Sequence, residues 1–592
     1  MILRPLLLLA MCCLPFALQA TPVLRFSDLI SGPSSGNSDA AGGLSSVQHG
    51  AIVTVWGQGL GDQQGSSRIW LQRANGSRVA AAYVYYWKAA DGGLPGGPAD
   101  LYKYHRMQEL AFSIPAELNA EEVQLRVEVD GELSNGLRFR VRDGRIFFVA
   151  DSGNDSSGDG SFSAPWKTLD SAADPGRNRL LPGDVIYLRA YTDTDSVKIG
   201  SITPYAGSDS HPYFVSSYPG TTAYISNVPN PSAANRNINF PAALRNHYQG
   251  NDHWSFSKLR LETNINAAMA FYRMRFIGNE VLGSAAEGTG GVVAGSGRQA
   301  GGGRFFGNYV HDFGNATASS LHHIFYLSNR SAGPATEAYE FGWNHLSDNG
   351  APHAFHIFDQ NGQGGSCGGG AATGVGAFDG TFRVHDNVVR NQRGCGFQYQ
   401  GGCGSFGDFT ASAEVWNNLF INDPDSALAG TPICLSTPVL DGTVKITHNL
   451  MFGYGSNTDT AHTGILIAFA FSGRAEIHNN LVLDRRGAAD FVLGRLPEVA
   501  ANNLFAAWPG TAGSAATPTW PSSLSETPQF MAPESGDFRY IEGSPGIDRA
   551  SEQGVSRDLH GIARPQGAAS DLGPFESRIS SAPLFRSGFE SP

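Results

Sequence analysis

Charge is scarce in this sequence. Asp, Glu, Lys and Arg make up 16% of its 592 residues, against about 25% in ordinary soluble domains, which excludes a coiled coil or a highly charged disordered chain. Basic residues are outnumbered 41 to 53, for a formal net charge of −12, so neither nucleic acid nor an anionic membrane is an expected partner. Cysteine is rare, six in all. After residue 20 no apolar run approaches the ~18 residues of a membrane span. Glycine, by contrast, is one residue in eight (74 of 592), aromatics are 11% and hydrophobic residues 41%. A turn-rich β protein with a sizeable core is the composition's reading.

Residues 1–20, MILRPLLLLAMCCLPFALQA, combine one Arg, a short apolar run and a small residue at Ala20, the pattern of a secretory leader. Met11 before Cys12 argues against lipid attachment. A secreted or cell-surface location follows. Two cysteines leave with the leader, and Cys367, Cys395, Cys403 and Cys434 remain. An even number in an exported chain favours disulfides, with three possible connectivities, Cys395–Cys403 being a plausible short closure. The spacings of 28, 8 and 31 fit no zinc finger or ribbon, and no metal site is read from them.

Residues 21–145 alternate apolar and polar positions between turn signals, as in AIVTVWGQGLG (51–61), QLRVEVDGE (124–132) and GLRFRVRDG (136–144). About seven such runs predict an antiparallel β-sandwich of immunoglobulin type. The pattern VTVWGQGLG with the closing SNGLRFRV resembles the IPT/TIG modules of that fold, which serve as spacers or binding modules.

From 146 to 510 a short phrase recurs: FIGNEV, FFGNYV, FGWNHL, VHDNVV, VWNNLF, THNLMF, IHNNLV and AANNLF. Its asparagines are Asn279, Asn308, Asn344, Asn387, Asn418, Asn449, Asn480 and Asn503. Spacings between the twenties and forties mark a solenoid, and the absence of amphipathic helices makes it a β-solenoid or a propeller. A repeated Asn favours the solenoid, because amides stacked at about 4.8 Å can hydrogen-bond in a ladder. The phrase resembles the right-handed parallel β-helix proteins of the pectate lyase-like superfamily. The resemblance implies an exported all-β protein whose outward side chains form a polysaccharide groove. Right-handedness also follows from the rule for parallel crossovers.

The entry, FFVADSGNDSSGDGSFSAPWKTLDSAADPGRNRLLPGDVIYLRA (147–190), resembles the opening of many exported β-helices. PWKTLDSAAD is expected to form a short helix over the open end. Residues 511–592 are read as a C-terminal cap and tail. Their stretch GSPGIDRASEQGVSRDLHGIARPQGAASDLGPFE resembles a terminal segment frequent in bacterial β-helix proteins. The final LFRSGFESP resembles an export tail.

Chemistry is sought on outward positions. HIFYL (323–327), HAFHI (353–357), CGFQY (395–399) and TGILI (463–467) share a frame. Phe325, Phe355, Phe397 and Ile465 form one inward column, and Leu327, Ile357, Tyr399 and Ile467 another. Between them Tyr326, His356, Gln398 and Leu466 face outward. Seven of the sixteen histidines fall between His311 and His385. His323 and His353 carry inward parity and are read as structural.

A Tyr–His pair suits β-elimination of a uronic acid: His356 takes the C5 proton, Tyr326 protonates the leaving oxygen, and Arg330 neutralises the carboxylate. Gln398, His322 and Asp359 are assigned to substrate binding. The motifs of two relatives with this fold are missing. Asn457-Thr458-Asp459 lacks the further motifs of polygalacturonases, and Ala351-Pro352-His353-Ala354 lacks both acids of the alginate epimerase motif. No cofactor is assigned. Calcium is possible, since Asp348, Asp359 and Asp379 are close in sequence, although no spacing defines a site. The expectation is a monomeric polysaccharide lyase, a glycoside hydrolase being less favoured. The alternative is a non-catalytic polysaccharide-binding or adhesion protein.

Overall fold

The computed structural model describes residues 21–577 except 195–196, 199–206, 227–237, 240–252, 264–272, 284–292, 296–301, 318–322, 330–336, 360–380, 401–411, 437–441, 454–462, 470, 472, 486–489 and 510–517. The leader, the tail, Cys367, Cys403 and Asn457-Thr458-Asp459 therefore lie outside the described residues.

The first part of the chain builds two mainly antiparallel sheets, of four and six strands. Glu122–Val129 shows why they pack: Val123, Leu125, Val127 and Val129 are buried and the residues between them are not, the period of two that gives a strand one apolar face. Among the described residues, those between 146 and 507 build a parallel β-helix. Its three long sheets hold twelve, eleven and seven strands. The first runs from Ile146–Ala150 to Val499–Ala501, the second from Thr192–Asp193 to Leu504–Ala507, and the third from Val293–Gly295 to Asp490–Gly494. Their inward residues form one apolar core that includes Phe276, Phe305, Phe341, Val384, Val415, Ile446 and Ile477.

The recurring Asn marks the bend between the first two sheets. All eight side chains are fully buried. Each Nδ2 except the last donates to the Oδ1 of the next Asn, at 2.9–3.1 Å. Each of those Oδ1 atoms also accepts its predecessor's backbone N–H. The preceding residue turns the chain with a left-handed backbone in every coil: Gly278, Gly307, Trp343, Asp386, Asn417, His448, Asn479 and Asn502, with φ between 53° and 65°. Most of these are Gly, Asn, Asp or His, the residues that tolerate this region best. Trp343 is the exception. Its ring centre lies 5.2 Å from that of Phe26 of the sandwich, tilted, and 5.3 Å from that of Phe306, edge-on.

The entry helix is Leu169–Ala172. Thr168 caps it by accepting the Ser171 N–H at 3.1 Å, and Leu169, Ala172 and Ala173 enter the solenoid core. At the other end Leu524 bridges to Leu504, and Trp520 packs edge-on against Phe505. Residues 543–576 do not cover that end. They run along the flank of the bend: Asn502 donates to the Arg549 carbonyl, Asn479 to Ser551 and Asn417 to Arg557, while His448 Nδ1 lies 3.3 Å from the Gly573 carbonyl. The segment expected to be a cap is thus a lateral strap.

The sandwich is continuous with the solenoid rather than a separate body. Phe26, Trp56, Leu101 and Met107 share a cluster with Ile277, Phe306 and Trp343. Tyr187, from the first solenoid sheet, donates its hydroxyl to the Ile52 carbonyl and accepts the Ile52 N–H. Lys258 Nζ donates to Thr54 Oγ1 at 2.6 Å and lies 3.4 Å from Asp28 Oδ2, with both charged side chains buried. Burial pushes the Asp28 carboxyl pKa up, against the opposing pull of Lys258.

Candidate functional site

The third sheet carries the candidate site. Its strands include His323–Asn329, His353–Asp359, Cys395–Gln400, Thr431–Ser436 and Thr463–Ile467. Pairing sets Phe325, Phe355, Phe397, Ile433 and Ile465 in one column, and Tyr326, His356, Gln398, Cys434 and Leu466 in the next. The frame expected from sequence is the observed one. A strand was missed in it: Thr431–Ser436 lies between Gln398 and Leu466. Of the pairings left open by the sequence, the disulfide formed is Cys395–Cys434 rather than the short closure Cys395–Cys403, and it joins residues 39 apart on adjoining strands.

Alternation breaks near the start of each strand. Ile324 and Phe325 both belong to the core, as do Ala354 and Phe355. The equivalent residue on the next coil is Gly396, where an added Cβ would come within 2.5 Å of Phe420. Two consecutive inward residues throw the one before them to the outside. His323 and His353, expected to face inward, therefore join the outward group. The His323 ring lies 4.8 Å from Tyr326, 4.2 Å from His356 and 5.2 Å from His353, and His353 lies 4.9 Å from His356.

Hydrogen bonds fix the rings. Gln400 Oε1 can only accept, and it takes the His356 Nε2–H at 3.0 Å and a Gln398 amide N–H at 3.1 Å. The other nitrogen of His356, Nδ1, then accepts from His323 Nε2 at 3.2 Å. His353 Nδ1 accepts the Cys395 N–H at 3.2 Å. Gln398 also donates to Ser436 Oγ at 3.3 Å. Burial lowers the His356 pKa to about 4, against a raising contribution from the Gln400 hydrogen bond. Burial also pushes His353 well below the ordinary imidazole range, helped by His356 and Arg393. Both rings are neutral at pH 7.

Tyr326, His356 and Gln398, expected together, are together. Tyr326 is half-buried and His356 is buried. Asp359 pairs with Asn329 at the strand ends, but its side chain, like Arg330 and His322, lies outside the described residues. Asp348, considered for calcium, accepts from the Asn391 amide at 2.8 Å. The sequence reading missed the gathering of His323, His353 and His356, one ring nitrogen of each lying within 4.8 Å of the others, near enough that they could hold a metal ion. Its signal was the His-x-x-His of HAFHI beside a His at the same frame position one coil earlier.

Neither a protein-family model nor a curated protein sequence matches this chain, so its chemistry is argued from these residues alone.

Proposed function

We propose that the chain is an exported, carbohydrate-active β-helix protein of the pectate lyase-like type that cleaves an acidic polysaccharide by β-elimination, with an IPT/TIG-like module at its N-terminus. The leader sequence supports export, and no helix among the described residues is long and apolar enough to cross a membrane. The observation that carries the reading is the outer column of the third sheet, where half-buried Tyr326 lies beside the His323 and His356 rings and Gln398 stands one coil beyond His356. A polysaccharide lying along the coils meets these residues in succession.

In the elimination a base takes the C5 proton, the C4–O4 bond breaks as the C4–C5 double bond forms, and an acid returns a proton to O4. A catalytic base works best with a pKa near the working pH. His356, at about 4 and hydrogen-bonded through both nitrogens, is a weak one. We therefore give both proton transfers to Tyr326: once its hydroxyl proton has left to solvent, the phenolate takes the C5 proton and the phenol so formed returns it to O4, which regenerates the phenolate, with His356 as its neighbour. Arg330 remains the sequence-based candidate for the substrate carboxylate.

The test is incubation with a panel of uronic-acid polysaccharides. It follows the ultraviolet absorbance of the unsaturated product alongside reducing-end release. Absorbance that falls by 10²-fold or more in Tyr326→Phe supports the reading. Reducing ends without absorbance would indicate hydrolysis, and polysaccharide binding with neither product would indicate the adhesion role.

A further inference from the structure

We infer that His323, His353 and His356 form a binding site for one first-row divalent transition-metal ion of the zinc type. The three residues come from two adjacent coils. The ring geometry brings their nitrogens within 4.8 Å of one another. Bonds of 2.0–2.1 Å to a tetrahedral zinc place two ligand nitrogens about 3.3 Å apart. His356 Nδ1 and His323 Nε2 are already 3.2 Å apart, so that edge of the tetrahedron exists. The widest gap among the three ligand nitrogens is at most 4.8 Å, so it has to close by no more than about 1.5 Å to complete the zinc geometry, a small turn about side-chain bonds.

The surroundings suit such an ion. A ligating imidazole normally donates its other ring N–H to an oxygen, which fixes the lone pair on the metal. His356 does this through Nε2 to Gln400 Oε1, and the Gln398 amide holds the same oxygen. With Nδ1 of His353 accepting the Cys395 N–H, its ligating atom is Nε2. That nitrogen, and His323 Nε2, which carries the proton shared with His356 Nδ1, must both give up their protons to the other ring nitrogen or to solvent as metal enters. The donor set is all nitrogen, which selects zinc, copper, nickel or cobalt over calcium and magnesium, both of which require oxygen. Three protein ligands leave a fourth position for water or substrate, beside Tyr326, whose ring is 4.8 Å from His323.

The binding claim stands on the cluster alone. Its use in catalysis rests on the reading above: a dication there would favour the Tyr326 phenolate and draw in a uronate carboxylate.

The full-length secreted protein, stripped with a chelator, is titrated with Zn2+ against a chromophoric competitor and separately with Co2+. One Zn2+ per chain is expected, with the visible absorption of tetrahedral Co2+. His323→Ala and His353→Ala should each weaken Zn2+ by 10²-fold or more. Gln400→Ala, which leaves every ligand in place, should weaken it 10- to 100-fold. Circular dichroism identifies any histidine variant that fails to fold, and Gln400→Ala then carries the test. A Zn2+ affinity unchanged in folded His323→Ala or in Gln400→Ala, or no stoichiometric uptake, overturns the site. The two proposals fail separately: a metal-free protein that still releases unsaturated product sinks the metal role alone, while a zinc-loaded protein that cleaves nothing sinks the lyase alone.

Discussion

Two columns climb the solenoid across its strands, and they obey different rules. At the bend between the first and second sheets the same side chain returns in eight coils, and each Asn satisfies the next. On the outer face of the third sheet the residue changes at every step, from Tyr326 to His356, Gln398, Cys434 and Leu466. A solenoid that stacks like on like needs no such variety for stability. Repetition therefore marks what holds the coils, and a break in repetition marks positions that packing between coils leaves free to vary.

The largest effect expected concerns what covers the solenoid. Removing residues 21–145 would expose Phe306, Trp343, Tyr187 and Phe214, which share clusters with the sandwich. The truncated protein should aggregate or lose its first coils, seen by size-exclusion chromatography and circular dichroism. A soluble monomer with an unshifted melting curve would separate the two parts after all.

Next comes the ladder itself. Asn387 donates to Asn418 Oδ1 and the Phe341 carbonyl, and accepts the backbone and side-chain N–H groups of Asn344. Asn387→Ala leaves four buried partners unmatched and should cost roughly 3–5 kcal/mol at about 1 kcal/mol each. Urea unfolding measures it, and a loss below about 1 kcal/mol would show the ladder to be ornamental.

The third prediction uses pH to probe the other column. The folded pKa of His356 is about 4, below the ~6.5 of a free imidazole. A depressed imidazole pKa means that its contribution is complete above pH 6.5 and lost as pH falls through 4. The loss is on the order of 3 kcal/mol. His356→Gln should flatten this acid limb relative to the unsubstituted protein, followed by thermal melts between pH 7 and 4. An unchanged limb would mean that the ring is not held neutral.

The smallest effect is Gln398→Ala. Gln398 is half-buried, and its hydrogen bonds go to Gln400 and Ser436 on the outer face. Stability should move by less than about 1 kcal/mol, far below the Asn387 value, in the same urea assay. Equal costs at the two positions would erase the distinction between the columns.

The architecture was legible because its signal repeats. The Asn phrase located every one of those bends, and the short entry helix formed where Thr168 could cap it. The outward column was legible as far as strict alternation holds. It failed at His323 and His353, because Ile324–Phe325 and Ala354–Phe355 put two neighbours into the core, which a period of two cannot express. The disulfide pairing was left open for a related reason. Cys395 and Cys434 are distant in sequence, and the strand that brings Cys434 across, Thr431–Ser436, carries Pro432 and had not been recognised. The sandwich contact was invisible, since nothing in VTVWGQGLG says which apolar ring meets Phe306.

The strap changes how the molecule comes apart. An open stack of coils can peel from its last turn, one rung at a time. Here the final segment doubles back along the bend and reaches the first domain: Gln58 donates to the Leu559 carbonyl, Arg25 to Asp558, and His560 Nε2 lies 3.0 Å from the Tyr104 carbonyl. The two ends of the chain are buckled to each other across more than 450 residues. Loosening the terminal coil then requires releasing the strap from the sandwich as well, so fraying is coupled to the opposite end of the protein. The strap's contacts deepen the native well and raise the barrier to the first step of unfolding together, and they form only once residues 543–576 have been made.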